Sequence, residues 1–365
     1  MMMVDRRLFR EIDWVLIGLV VGISLVGVFF IYSSSSFLPT NYALRQIIWL
    51  GVGLAAMFVF AAVDYKFLVS FSPYLYGLIV IVLAGSLFFA KVIVGTKSWL
   101  RFGLMQLQPS ELAKVIMILV FARLFAESKG RYLGPQAAGL ALLTAGVPLA
   151  LIVLQPDLGT AMTFLAIVGG AFVLAGLRKR TILILLLAGL VVGIGGWNFG
   201  LKTYQKKRLT TLINPTGDPR GAGYQITQSK IAIGSGGLTG KGFMKGTQSQ
   251  LRFLPARHTD FIFSVIGEEF GFVGTFFVIL AYFLLFWRMF GSVAKARDRA
   301  GVYIIFMASM LIAFQFLINV LMIIGLFPVT GIPLPFLSYG GSSLLTNCLA
   351  CGLVLNVKMR RFANV

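Results

Sequence analysis

Ten stretches of this chain are apolar over roughly the length a helix needs to cross a bilayer, and that pattern constrains the fold more than any motif. They lie near residues 14–32, 47–63, 74–92, 111–125, 136–154, 158–177, 181–199, 261–290, 302–325 and 342–357. Only 12% of the residues are charged and mean hydropathy is +0.90, whereas soluble domains carry about 25% charged residues. Lipid is therefore the solvent for most of the chain. The expected fold class is all-α, a polytopic membrane protein of about ten transmembrane helices forming one integral domain over residues 1–365. A long extracytoplasmic loop, 200–259, joins the seventh and eighth spans. The first run lacks a small-residue cleavage site before Tyr32 and does not read as a signal peptide.

The charges give the chain a direction. Lys and Arg number 32 against 12 Asp and Glu, a net charge of +20. Basic residues crowd the connections on the side of both termini, from Arg6, Arg7 and Arg10 through Arg178–Arg180 to Lys358, Arg360 and Arg361. The short loops of the other side hold only Arg45, Lys91, Lys97 and Arg101, so the positive-inside rule places both termini in the cytoplasm. The loop 200–259 breaks the pattern with ten basic residues and a single acid, Asp218. Its charge reads either as headgroup attachment or as a cationic vestibule over a site for a phosphorylated substrate. Within it, the glycine-rich run 234–242 fails as a P-loop, because Ser235 and Gly242 stand where Gly and Ser/Thr are needed, and reads as a flexible linker. One His excludes any site needing two, and Cys348 and Cys351 in an apolar run read as packing residues.

Chemistry on the outer face must draw on few carboxylates. Asp5, Glu11, Asp13, Asp64, Glu127 and Asp298 fall on the cytoplasmic side and read as solvated flanks. Glu111 and Lys114 share a helical face, as an internal ion pair or as a lysine presented to a substrate phosphate with Glu111 orienting it. Asp157, after Gln155-Pro156, has the position of a helix cap that holds a loop. Asp260 also suits capping, yet it alone sits where the cationic loop meets a long apolar helix, placed to accept a proton from a substrate hydroxyl. It is the leading catalytic candidate, and Glu268 and Glu269 two turns on read as pairing groups. The stretch 331–342, with Pro333, Pro335 and three glycines, cannot be regular helix, and its apolar character makes it a cavity wall or re-entrant turn.

These residues carry a resemblance. The run from Asn319 to Ser343, with Pro333, Pro335, Ser338, Gly340 and Gly341, resembles the signature of the SEDS family (shape, elongation, division and sporulation; RodA/FtsW/SpoVE). Gln108-Pro-Ser-Glu-Leu-Ala-Lys114, Gln155-Pro-Asp-Leu-Gly-Thr160 and His258-Thr-Asp-Phe-Ile-Phe263 are similar to three further family blocks in family order. Asn214-Pro215, Gly223-Tyr-Gln225 and Gly246–Gln250 look more like the elongation branch than the division branch. Departures are Ser98, where the family often has Arg before the Trp99 position, and Gln106, where some relatives are basic.

The resemblance implies a bacterial inner-membrane peptidoglycan glycosyltransferase that polymerises lipid II into β-1,4 glycan strands and releases undecaprenyl diphosphate. It implies a class B penicillin-binding protein transpeptidase and other elongation-complex membrane proteins as partners, and no nucleic acid. Asp260 matches the family's essential aspartate and is expected as general base. Arg45, Lys97, Arg101, Glu111, Lys114, His258 and Ser338 are expected around the substrate, and Gln108, Asp157, Pro333, Pro335, Gly340 and Gly341 in loop positioning. No motif binds a cofactor or metal, although Mg²⁺ or Mn²⁺ could accompany the diphosphate. The alternative reading is a lipid II flippase or other transporter, and a third is a passive scaffold; polymer made by the purified protein in detergent separates an enzyme from both.

Overall fold

The computed structural model describes residues 11–89, 91–93, 96–102, 105–127, 134–176, 203–213, 218 and 221–362, with scattered positions between 181 and 195. Its long helices are α1 (Trp14–Ser35), α2 (Tyr42–Ala62), α3 (Tyr65–Phe89), α4 (Pro109–Ala126), α5 (Pro135–Leu154) and α6 (Leu158–Ala175). Three shorter ones follow, α7 (Thr203–Ile213), α8 (Ala222–Ser235) and α9 (Thr247–Gln250), and then α10 (Ile262–Phe290), α11 (Arg299–Ile323) and α12 (Gly341–Met359). Among the described residues, eight helices are long and apolar enough to cross a membrane: α1, α2, α3, α5, α6, α10, α11 and α12. The protein is a polytopic helical membrane protein. Helix α4 fills a further expected span and carries Glu111, Lys114 and Arg123. The run expected at 181–199 lies largely outside the described residues.

Helix α12 is the axis of the bundle. All but two of its residues are buried, and α2 lies along it, closing on Gly53 and Gly352. A Cβ at Gly352 would come within 2.7 Å of the Met57 carbonyl, so the approach needs a residue without a side chain. Cys348 and Cys351 are buried and unpaired in this seam, as packing residues.

Several expectations are corrected. The third apolar run does not extend to residue 92: α3 begins at Tyr65, continues through Pro73 and stops at Phe89. Beyond it, β1 (Lys91–Ile93), β2 (Thr96–Phe102) and β3 (Met105–Leu107) form a small antiparallel sheet in the order β1-β2-β3, pairing Lys91 with Trp99 and Arg101 with Gln106. The β-branched Val92-Ile93 pair favours strand over helix. Asp13 is no solvated flank. It is buried, caps α1 through the Leu16 amide at 3.3 Å, and pairs with Arg288 at 2.7 Å and with Lys358. Asp298 likewise caps α11 and accepts the Tyr65 hydroxyl at 2.7 Å.

The described part of the loop from residue 221 to 259 is folded against the bundle. Helix α8 buries Ile226, Ser229 and Ala232, and the Ser229 hydroxyl lies 2.8 Å from that of Ser264 and 2.9 Å from the Ile323 carbonyl. The run 234–242 is no flexible linker. Lys241 and Gly242 donate their amides to the carbonyls of Glu268 and Glu269, while Phe272 and Val273 donate theirs to Gly237 and Leu238. This exchange is possible because α10 breaks its helical geometry at Gly271 (φ 63°), which frees amides to face the loop. Glu268 completes the clasp, accepting Lys241 at 2.8 Å and the amides of Gln248 and Ser249 at the start of α9.

Candidate functional site

The turn before α10 sets the position of Asp260. Ala256 adopts a left-handed φ of 48°, and its carbonyl collects the amides of Thr259, Asp260 and Phe261 together with the Thr259 hydroxyl. The α10 ladder starts only at Phe261, whose carbonyl accepts Ser264 and Val265. No side chain caps this helix start, so the capping explanation for Asp260 falls away. Its carboxylate is half-buried, hydrogen-bonded to the Thr259 side chain, and its Oδ2 lies 3.8 Å from where a Cβ on Gly331 would project. Burial pushes the carboxyl up to about 6, against the opposing pull of the Arg208 charge on α7 and of the Thr259 hydrogen bond. That suits a carboxylate base working near neutrality.

The segment 331–342 faces this turn. The Asn319 amide of α11 donates to the main-chain carbonyls of Asp260 at 2.9 Å and Ile332 at 2.8 Å. The Gln46 amide of α2 donates to the Ser338 carbonyl at 3.1 Å and accepts the Gly340 amide at 3.4 Å. Pro333 and Pro335 bring no N–H, and the Pro335 carbonyl accepts the buried Tyr282 hydroxyl. Ser338 closes the turn internally, with its hydroxyl accepting the Leu334 amide at 2.9 Å and its own amide donating to the Leu334 carbonyl at 3.0 Å. It is 3% exposed, so its expected place among substrate contacts is corrected to that of a turn-holding residue. Gly340 leads into α12, where its carbonyl accepts Leu344 at 2.8 Å, and Gly341 lies so close to the Trp49 ring that no side chain fits.

Around the mouth of this turn stand the expected ring and cation. The His258 ring packs 4.6 Å from Tyr42 and 5.9 Å from Tyr339, centroid to centroid. Burial, with a contribution from Arg257, depresses the imidazole to about 4, so it is neutral at pH 7. Arg45 is exposed at the start of α2 and hydrogen-bonds the Tyr339 side chain. Lys97 and Arg101 lie on β2, with side chains outside the described residues.

On the far side of the segment, Gln108 donates its amide to Ser342 Oγ at 3.1 Å and its side chain to Asp157. Asp157 caps α6, accepting the Thr160 amide at 3.1 Å and hydroxyl at 2.9 Å; burial nevertheless raises its pKa against these bonds. Gly159 abuts the Thr330 carbonyl, with a would-be Cβ only 2.6 Å away, so the capped end of α6 supports the backbone leading to Gly331. Glu111 and Lys114 form the internal version of their pair, 2.7 Å apart with Lys114 fully buried. Of the two expected readings, the structure realises the ion pair: the Lys114 ammonium is buried against the Glu111 carboxylate. Glu111 Oε2 has no hydrogen-bond partner among the described residues.

Sequence reasoning missed Asn319, Gln46 and Arg208 as parts of this site. A lone amide inside an apolar span is costly and was the available signal for Asn319; Gln46 lies just before the 47–63 run, and Arg208 was hidden among ten cations of the loop.

Comparison with known proteins bears on this arrangement. The family described as Cell cycle protein (FtsW/RodA/SpoVE) matches residues 8–362. The peptidoglycan glycosyltransferase MrdB of Escherichia coli (strain K12) is 40% identical over 325 residues, covering 87% of this chain and 85% of its own. The peptidoglycan glycosyltransferase RodA of Treponema pallidum (strain Nichols) is 31% identical over 426 residues, covering 96% and 98%. The crystal structure of the Thermus thermophilus rod shape determining protein RodA superposes with a TM-score of 0.72 at 30% identity, over 97% of this chain and 98% of that one. A chain from a study of how a peptidoglycan synthase complex coordinates polymerization and crosslinking reaches 0.82 at 30% identity, over 97% and 99%.

Proposed function

The chain belongs to the FtsW/RodA/SpoVE family, the SEDS proteins, and from that premise and the geometry around Asp260 we propose how it works. It is a peptidoglycan glycosyltransferase of the cell-elongation type and a multi-pass membrane protein. Its substrate is lipid II. Asp260 takes the proton from the 4-hydroxyl of the acceptor's N-acetylglucosamine, and that oxygen attacks C1 of the donor's N-acetylmuramic acid. The bond to the diphosphate breaks with inversion from α to β, and undecaprenyl diphosphate leaves with the electron pair. The transition state has oxocarbenium character. The observation that carries this reading is the single half-buried carboxylate, raised to about 6, at the junction of the cationic loop and the irregular 331–342 wall.

Negative charge develops on the diphosphate, so preorganised cations near Asp260 lower the barrier. Exposed Arg45 beside Tyr339 and Arg208 on α7 suit this role, joined by Lys97 and Arg101 of β2. Among the described residues no three His, Cys, Asp or Glu side chains converge, which does not fit a resident metal. Mg²⁺ or Mn²⁺ would arrive on the diphosphate, and no step here runs through it. The active face is extracytoplasmic and both termini are cytoplasmic in a bacterial inner membrane, a placement supported by the basic residues at the Asp13–Lys358 end. A class B penicillin-binding protein supplies crosslinking, by analogy with the synthase-complex neighbour, alongside other elongation-complex membrane proteins.

The test is polymerisation of purified lipid II in detergent by the purified protein. Asp260→Asn should abolish polymer while leaving the fold intact, since a positioned base contributes about 10²–10⁴-fold. Near-normal glycan synthesis by that variant would overturn the assignment.

A further inference from the structure

We infer that Asn319 is a positioning residue for the transfer reaction: its side-chain amide ties the turn bearing Asp260 to the wall opposite and thereby fixes where the carboxylate points. The inference rests on Asp260 being the base and goes beyond it in assigning what holds that base.

The argument begins with unmet hydrogen-bonding needs. Because the α10 ladder starts at Phe261, the Asp260 carbonyl lies outside it and has no helical amide to accept. The Ile332 carbonyl lies between Gly331 and Pro333, in a segment whose prolines supply no N–H. A side-chain NH₂ has two protons, and Asn319 spends one on each carbonyl, at 2.9 and 2.8 Å. Asn319 is fully buried, so water does not compete for these bonds. The span across which they act is short. Gly331, next to Ile332, is the residue whose open side faces Asp260 Oδ2, 3.8 Å from a would-be Cβ, and it takes a left-handed φ of 73°. Both walls of the gap in which the carboxylate sits are thus referred to one side chain on α11. Losing that tie leaves the buried Ile332 carbonyl and the part-buried Asp260 carbonyl unpaired and lets the walls drift.

A structural tie alone would lower stability only, and the fold provides a control of that kind. Asn356, on α12 at the opposite end of the bundle, bridges backbone in the same manner: it accepts the Tyr65 amide and donates to the Phe60 and Val63 carbonyls. The experiment compares Asn319→Leu, Asn319→Ser, Asn356→Leu and Asp260→Asn on purified lipid II, with kcat referred to the folded fraction. Asn319→Leu should lower kcat about a hundredfold with KM unchanged, because ångström-scale misplacement costs on that order. Asn319→Ser, smaller and unable to span both carbonyls, should do the same and serves if the leucine variant fails to fold. Asn356→Leu should lose stability and keep kcat. Wild-type kcat in the folded fraction of the Asn319 variants, with Asp260→Asn inactive, overturns this inference alone; an active Asp260→Asn overturns the base assignment beneath it.

Discussion

The main-chain carbonyl of His258 accepts the Tyr339 amide at 3.0 Å, so the turn that carries Asp260 and the apolar segment opposite it share a backbone hydrogen bond. Together with the Asn319 tie on the other flank, this closes a frame around the carboxylate. The frame explains how a side chain at the edge of a loop can be held firmly enough to act as a base. It also makes the protonation behaviour of Asp260 a property of the fold.

The first expectation concerns pH. The proposed base, Asp260, acts only when ionised, and burial raises its carboxyl to about 6. kcat/KM on lipid II should therefore climb with pH through about 6 and level off above it, the limb reporting the free enzyme. A profile flat from about pH 4.5 to 7.5 would contradict this.

Arg208 supplies the next. Its positive charge pulls the Asp260 carboxyl down against burial, so Arg208→Gln should move the acid limb to higher pH. A pH–rate series on the two proteins measures the displacement. A limb that stays put, or moves to lower pH, would show that Arg208 does not act on Asp260.

Stability should move in the opposite sense to activity at the same residue. A folded-state pKa above the unfolded value means the folded protein holds the proton more tightly, so Asp260 costs stability as pH rises from about 4 to 6. Asp260→Asn removes that cost and should be more stable than the parent at pH 7 by no more than about 2–3 kcal/mol, unfolding at a higher temperature. The difference should vanish near pH 4, as thermal unfolding in detergent would reveal.

Asp13 carries the reverse sign. Burial raises its carboxyl, but the hydrogen bonds from Arg288 and Lys358 outweigh this and hold it below its usual value. Its contribution is present above the unfolded pKa of about 3.9 and is lost as pH falls through the lower folded value. Asp13→Ala removes the partner of the buried Lys358 and should cost about 3–5 kcal/mol, leaving polymerisation per folded molecule unchanged. Thermal unfolding and the polymer assay on one preparation separate the two effects.

Gly271→Ala tests the clasp between α10 and the loop. A Cβ there would sit 2.5 Å from the Gly240 amide nitrogen and 2.6 Å from the Leu238 carbonyl, on a backbone with φ 63°. The strained backbone alone costs about 1–3 kcal/mol. Residues 236–250 should come away from α10, and limited proteolysis should cut there in the variant before the parent.

What the sequence discloses follows the range of each interaction. The long helices are apolar over the length of a membrane span, and the Glu111–Lys114 pair and the Asp157 cap act within four residues, so all were readable. Asp13 was misread because its partners lie 275 and 345 positions away. The 234–242 run has the composition of a linker, and only the kink at Gly271 shows that its glycines serve close approach. Strand β1 was hidden because Val92 and Ile93 extend the apolar run of α3 past the single charge of Lys91. Asp260 stood out by elimination among outer-face carboxylates, whereas Asn319 and Gln46 did not, since a buried amide declares its purpose only once its acceptors are known.

The irregular segment 331–342 spends its polar backbone on Gln46, Tyr282 and Asn319, which arrive from α2, α10 and α11. Apart from the Leu334–Ser338 turn, it owes its shape to neighbours distant in the chain. A peptide of this sequence would be shapeless in solution, and grafting it onto another membrane scaffold would transplant the letters of the signature without its form.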